Sequence, residues 1–145
     1  METFDLSTPI QVLRRDACEA LLRSRHSGRV AYVNGPFPMI LPVNFELFDE
    51  FIVFRTGVGS KLANIPMRPV AFEVDGRDGA NAWSVVVVGH AREVTTALGP
   101  RYDALRQCEI TILAAGDKTH WIAIEIEEMT GREFCVVAEP TDRSA

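Results

Sequence analysis

The sequence has no apolar run of 18 or more residues, and no charged N-terminal stretch leads into an apolar one. Neither a spanning helix nor a secretion leader is therefore indicated, and a cytoplasmic protein without a membrane partner is expected. Positive charge is also scarce. Fifteen Lys and Arg against 20 Asp and Glu leave a net charge of −5 and a pI near 5.2, which argues against general attraction to nucleic acid. Cysteine is limited to Cys18, Cys108 and Cys135, an odd number at wide spacing with no Cys-x-x-Cys pair, so buried free thiols are expected rather than a disulfide framework. The histidines His26, His90 and His120 are scattered and none stands beside a carboxylate pair on one strand face, so no metal site is expected. A Gly-x-Ser-x-Gly elbow is missing, and Ser84 lies in a valine strand with no base near it in sequence. The Gly57-Val58-Gly59-Ser60-Lys61 run has the wrong spacing for a nucleotide-hydrolysing phosphate loop.

What the chain does have is enough apolar matter for one core: 145 residues, 47% hydrophobic, suit a single domain over 1–145. Ser7, Thr8 and Pro9 precede a helical spacing of Leu13, Ala17, Ala20, Leu21 and Ser24 that ends at Gly28, which predicts a capped amphipathic first helix. Its arginines, Arg14, Arg15, Arg23 and Arg25, lie within helical reach of Asp16 and Glu19 and read as a solvated, salt-bridged face. Strands are then predicted at 30–33 and 39–48 around an Asn34-Gly35 hairpin turn, at 51–56, at 70–75, at 82–94 and at 120–128. Pro42 cannot donate to a ladder, so a bulge or an open edge is expected there. Gly89 should bulge the valine-rich strand, whose apolar run suggests burial on both faces. A second helix follows Thr95 or Thr96, a turn is expected at 130–133, and 134–145 is expected to be a short tail with a possible last strand at 134–137. About six antiparallel strands in hairpins, with a few flanking helices, predict a small mainly β barrel.

Chemistry concentrates in 51–63. Phe51, Val53 and Arg55 alternate with Ile52, Phe54 and Thr56, so Arg55 ends one strand face and Thr56 the other. Gly57 and Gly59 turn the chain, and Ser60 can cap a short helix over 60–65 that opens with Lys61. A guanidinium, two hydroxyls, an ammonium and helix-start amides within seven residues suit a phosphate. On residue chemistry alone, an exposed hairpin end with solvated cations is an equal alternative.

The run 54–63, followed by 70–74 and by Trp83-Ser84-Val85 through Gly89-His90-Ala91, resembles the pyridoxamine 5′-phosphate oxidase-like family of flavin-binding split barrels. The likeness extends upstream to Gly28-Arg29-Val30-Ala31 and Leu41-Pro42-Val43-Asn44-Phe45, and covers roughly 10–130. The resemblance implies a six-stranded antiparallel split barrel and a homodimer with FMN in the groove between subunits. It implies that Arg55, Thr56, Ser60 and Lys61 hold the phosphate and ribityl end. The backbone of Pro42, Val43 and Asn44 would lie along the ring, and Ser84 would reach it from a neighbouring strand. Trp83 stands either at the ring edge or in the core. Two departures bear on function. Ser84 replaces a longer polar residue, and 134–145 lacks the arginine-rich segment that grips pyridoxamine phosphate in the true oxidases, so a flavin reductase-like oxidoreductase is expected instead. No side chain is assigned a catalytic role. The alternatives are a deazaflavin-dependent reductase, for which Arg68 and Arg77 are candidate cations, a non-catalytic flavin carrier, and haem handling through His90 or His120.

Overall fold

A computed structural model describes residues 2–4, 10–57, 67–95, 98–107 and 120–138. The elements in chain order are β1 (Glu2–Phe4), β2 (Gln11–Val12), α1 (Arg15–Arg23), β3 (Ser27–Asn34), β4 (Phe37–Phe48), β5 (Phe51–Thr56), β6 (Arg68–Asp78), β7 (Asn81–Glu93), α2 (Pro100–Asp103), a 3-10 turn (Ala104–Gln107) and β8 (His120–Ala138). The strands pair antiparallel in the order β1-β8-β5-β4-β3-β6-β7, and a further β7–β8 ladder closes the circuit. The expected mainly β barrel is present. Its strand count exceeds the expected six because the short β1 and β2 add to β8 outside the circuit.

Alternation builds the core. Val43, Phe45 and Leu47 of β4, Phe72 and Val74 of β6, Val85 and Val87 of β7, and Ile122 and Ile124 of β8 turn inward with Phe54. The valine strand is not buried on both faces: Val85 and Val87 are fully buried, but Val88 faces out at 38% exposure. A second cluster lies outside the barrel wall, where Phe51 and Val53 meet Val94, Tyr102, Leu105 and Ala123. This is why four successive residues of β5 are buried: both faces of that strand are covered.

Several boundaries differ from expectation. The first helix begins at Arg15, with Arg14 at its cap and no capping side chain, and Gly28 lies inside β3 rather than ending the helix. Ser7, Thr8 and Pro9 fall outside the described residues, as does the expected helix over 60–65. β6 extends beyond the strand expected at 70–75: Pro69 already pairs with His90 in the β6–β7 ladder, and the reversal into β7 is at Gly79, with φ of 63°. The expected second helix is only the single turn of α2 and the 3-10 turn after it, though Tyr102 and Leu105 do face inward. Of the cysteines, Cys18 is buried and Cys135 only half-buried.

The largest correction concerns 130–138. No turn forms at Gly131; β8 runs through it without a break, and 134–138 belong to that strand rather than to a tail. A Cβ on Gly131 would lie 2.4 Å from the sulfur of Cys18 and 3.2 Å from Leu13 Cβ. The glycine is there because α1 packs directly on the strand. That contact also buries the Cys18 thiol, and desolvation raises its pKa.

The bulge at Gly89 is observed, as a register shift between Val88 and Gly89 against β8. A Cβ there would stand 2.0 Å from the backbone oxygen of Glu125 and 3.3 Å from Ile124 Cγ2, so relief requires strand movement at the closing ladder. Gly89→Ala should destabilise the fold by about 3 kcal/mol, the upper end of overpacking costs. Chemical denaturation measures it, and an unchanged midpoint would show that the closing ladder is not held this closely.

Candidate functional site

The barrel places the expected contact residues in two groups. In the first, β5 delivers Arg55 and Thr56 to opposite faces at the barrel mouth, as the alternation requires. Arg55 pairs with Trp121 across the β5–β8 ladder, and its guanidinium carbon lies 5.1 Å from the Trp121 ring centroid, an attractive cation–π distance. Thr56 turns inward opposite His120 and is 4% exposed. The β4–β5 ladder ends at Phe45–Phe54. Pro42 and Val43 therefore sit on a β4 edge with no strand neighbour among the described residues, and Asn44 stands at its boundary. β4 pairs in unbroken register with β3, Arg29 facing Pro42 and Ser27 facing Asn44. Of the two expectations for Pro42, the open edge holds and the bulge does not. Ser60 and Lys61 lie outside the described residues.

Trp83 and Ser84 form the second group. They pair with Gly76 and Asp75 of β6 on one side and with Glu133 and Arg132 of β8 on the other. They do not join Arg55: β8 meets β5 at 120–125 but meets Trp83 and Ser84 near its far end. Trp83 is 3% exposed and belongs to the core cluster, with the Arg25 guanidinium carbon 5.2 Å from its ring centroid. Gly76 makes that stack possible, since a Cβ there would lie 2.6 Å from Trp83 Cζ2 and 2.8 Å from an Arg25 nitrogen.

Among the described residues, three buried side-chain polar atoms lack a hydrogen-bond partner: Arg55 Nε, Thr56 Oγ1 and Trp83 Nε1. All three belong to residues expected to hold the cofactor. Leaving a buried donor unsatisfied costs about 1–3 kcal/mol, and such atoms call for a partner. Two are N–H donors and the third is a hydroxyl, so the set fits a ligand rich in acceptors, as a phosphate and a flavin ring edge are.

Sequence reasoning did not find the charge cluster between the groups. Arg29 donates to Glu73 Oε1 at 2.6 Å and to Asp75 Oδ2 at 2.8 Å, beside Pro42 and Ser84 in the ladders. The period-two spacing of Glu73 and Asp75 put both on one face, but only the β3–β6 register shows Arg29 opposite them. Its hydrogen bond to Asp75, and then the charge of Glu73, raise the pKa of Arg29. Trp121 was likewise not singled out, since nothing local tells that it faces Arg55. The candidate haem histidines each give Nδ1 to a glutamate, His90 to Glu127 at 2.7 Å and His120 to Glu93. Arg68 and Arg77, proposed as cations for a deazaflavin tail, stand near opposite ends of β6 and donate to the backbone oxygens of Val33 and Gly79.

With this geometry in place, comparison with known proteins is direct. The family model described as pyridoxamine 5′-phosphate oxidase matches residues 14–133. The chain belongs to that family. An uncharacterized protein of Mycobacterium tuberculosis is 36% identical over 94 residues, 64% of this chain and 83% of its own. The solved FAD-binding protein of Mycobacterium smegmatis is similar over 86% of this chain and 97% of its own, at 32% identity and a TM-score of 0.70. A FAD-binding protein of Mesorhizobium loti, at 22% identity, TM-score 0.68 and 86% and 97% coverage, shares the fold. No helix among the described residues is long and apolar enough to cross a membrane.

Glu73 generates a pH prediction. Desolvation, and next the hydrogen bond with Asp75, raise its pKa above the ordinary 4.5. The folded state thus holds this proton more tightly than the unfolded chain, so the group's contribution is present below pH 4.5 and is lost as pH rises through the folded value. In denaturation midpoints taken upward from pH 4.5, Glu73→Gln should remove a fall that the unaltered chain shows. Parallel curves for the two would contradict the burial argument.

Proposed function

We propose that this chain binds a flavin by its phosphate end and works as an oxidoreductase, passing hydride or electrons between a reduced donor and a small-molecule acceptor. The observation that carries this reading is the coincidence of the three unpartnered buried polar atoms with three of the residues expected to touch the cofactor. In this reading Arg55, Thr56, Ser60 and Lys61 hold the phosphate and ribityl chain, and the open edge at Pro42 and Val43, with Asn44 beside it, lies along the ring. The flavin, when bound, supplies the hydride chemistry; the protein binds and orients it and excludes water.

The two contact groups argue for a homodimer. β5 and β7 are not neighbours on the circuit, and Trp83 and Ser84 meet β8 at the far end from Arg55, so one flat ring reaches Arg55 of one chain and Ser84 or Trp83 of a second more readily than both of one. The outer wall offers apolar cover for such a pairing, with Val33 63% and Ile40 70% exposed. FMN contains all the groups this site needs. FAD contains them too, and the FAD-binding M. smegmatis protein at 32% identity favours it as the second reading. A deazaflavin is less favoured, since Arg68 and Arg77 do not converge. A carrier that binds flavin without turnover shares the same site, and the test below separates it.

Each charge-assisted bond from Arg55 or Lys61 to a phosphate should contribute about 1.5–3 kcal/mol. Lys61→Ala and Arg55→Ala should each weaken flavin binding by roughly ten- to a hundredfold in a fluorescence titration. The loaded protein should lose its flavin absorbance under a nicotinamide donor without oxygen and regain it with a nitro-compound acceptor. Unchanged affinity in both variants would remove the site, whereas normal affinity losses with no bleaching by any donor would leave a carrier.

A further inference from the structure

The mouth of the barrel holds two polar groups, His120 and Glu93, that the proposed phosphate site leaves without a role. Thr56, His120 and Glu93 all belong to its inner layer: Thr56 faces His120 across the β5–β8 ladder, and Glu93 pairs with the core residue Ile122 two positions along β8. Opposed residues of an antiparallel ladder hold their Cβ atoms about 5 Å apart, so the Thr56 hydroxyl and the imidazole stand side by side. The hydroxyl, on a side chain 4% exposed, has no partner among the described residues. The imidazole gives Nδ1 to Glu93 Oε1, with both side chains 18% exposed. A carboxylate on Nδ1 fixes the ring and directs Nε2 to a second partner, and no described residue occupies Nε2.

We propose that His120 is a phosphate ligand of the cofactor, oriented by Glu93, and that it shares the phosphate with Thr56 and Arg55. As an imidazolium, His120 donates from both ring nitrogens: Nδ1 to Glu93 and Nε2 to a phosphate oxygen. Thr56 Oγ1 donates to the same group and is no longer orphaned. Arg55 reaches it from the outer face of the strand end, where Trp121 holds the guanidinium in place. Glu93 touches no ligand and is a positioning residue. The inference rests on the flavin reading above and adds to it two residues, with a stated atom for each.

Riboflavin and FMN differ only in the phosphate, so they isolate this contact. The full chain is titrated with each, and the ratio of the two affinities is the readout. His120→Asn keeps a nitrogen near the Nδ1 position for Glu93 and removes Nε2. It should weaken FMN binding about tenfold, the loss of one charge-assisted bond, and leave riboflavin binding unchanged. His120→Gln, whose amide extends toward the Nε2 position, should recover part of that loss. Glu93→Gln should reduce FMN affinity by a smaller factor, again without moving riboflavin, and it carries the same test if His120→Asn does not fold. Equal losses for FMN and riboflavin, or none, would overturn the proposal and leave the flavin reading intact. An unaltered chain that takes up neither compound would overturn both.

Discussion

The closure of β8 against two strands at once is the constraint on which this molecule depends. β8 receives β5 along its first residues and β7 along most of its length, and the β7–β8 ladder needs the backbone at Gly89 and Glu125 to approach more closely than any side chain would permit. Once that approach is made, the end of β5 and the end of β7 arrive together at the start of β8. Arg55, Thr56, His120, Trp121 and Glu93 are neighbours for that reason alone. The stagger that barrel closure imposes also carries Trp83 and Ser84 away to the far end of β8. A single decision of register thus assembles one half of the candidate site and separates it from the other.

Such decisions are what a sequence states poorly. The alternation in 51–56 told correctly that Arg55 and Thr56 take opposite faces, because period two is a local property. Asn34-Gly35 told of a hairpin and Gly89 of a bulge for the same reason, since each requires a backbone conformation or approach that a side chain would oppose. Gly131 was misread as a turn because a glycine required by a packing helix looks the same in sequence as one required by a reversal. Only Cys18 and Leu13, distant in sequence and adjacent in space, explain it. The valine run of β7 was misread as doubly buried because it carries no alternation to show which face is outside. The Arg29 cluster and the Arg55–Trp121 contact depend on which strands adjoin, and no local pattern contains that.

The candidate site combines two economies. Donors that would be costly if left alone, on Arg55, Thr56 and Trp83, are held in position by strands and by aromatic or glycine contacts whose own stability does not require the ligand. In the proposed reading, binding satisfies groups that folding has left waiting, which is how a rigid barrel can be preorganised for an acceptor-rich cofactor. Against the acidic whole of the chain, with its net charge of −5, the placement of the Arg55 guanidinium beside Thr56 and His120 at the strand ends is a local departure. What meets the ring of that cofactor is left to surfaces of the barrel that carry no comparable signature, and the family shares a fold across proteins of several activities.

The central claim is that this chain holds a flavin. Its most direct test is the visible absorption spectrum and the mass of the small molecule released from the purified protein, followed by addition of FMN and FAD to the stripped chain. The account predicts a two-banded yellow flavin spectrum, a released mass equal to FMN or FAD, and restoration of the spectrum on addition. A colourless chain that releases no flavin and takes up neither compound would contradict it.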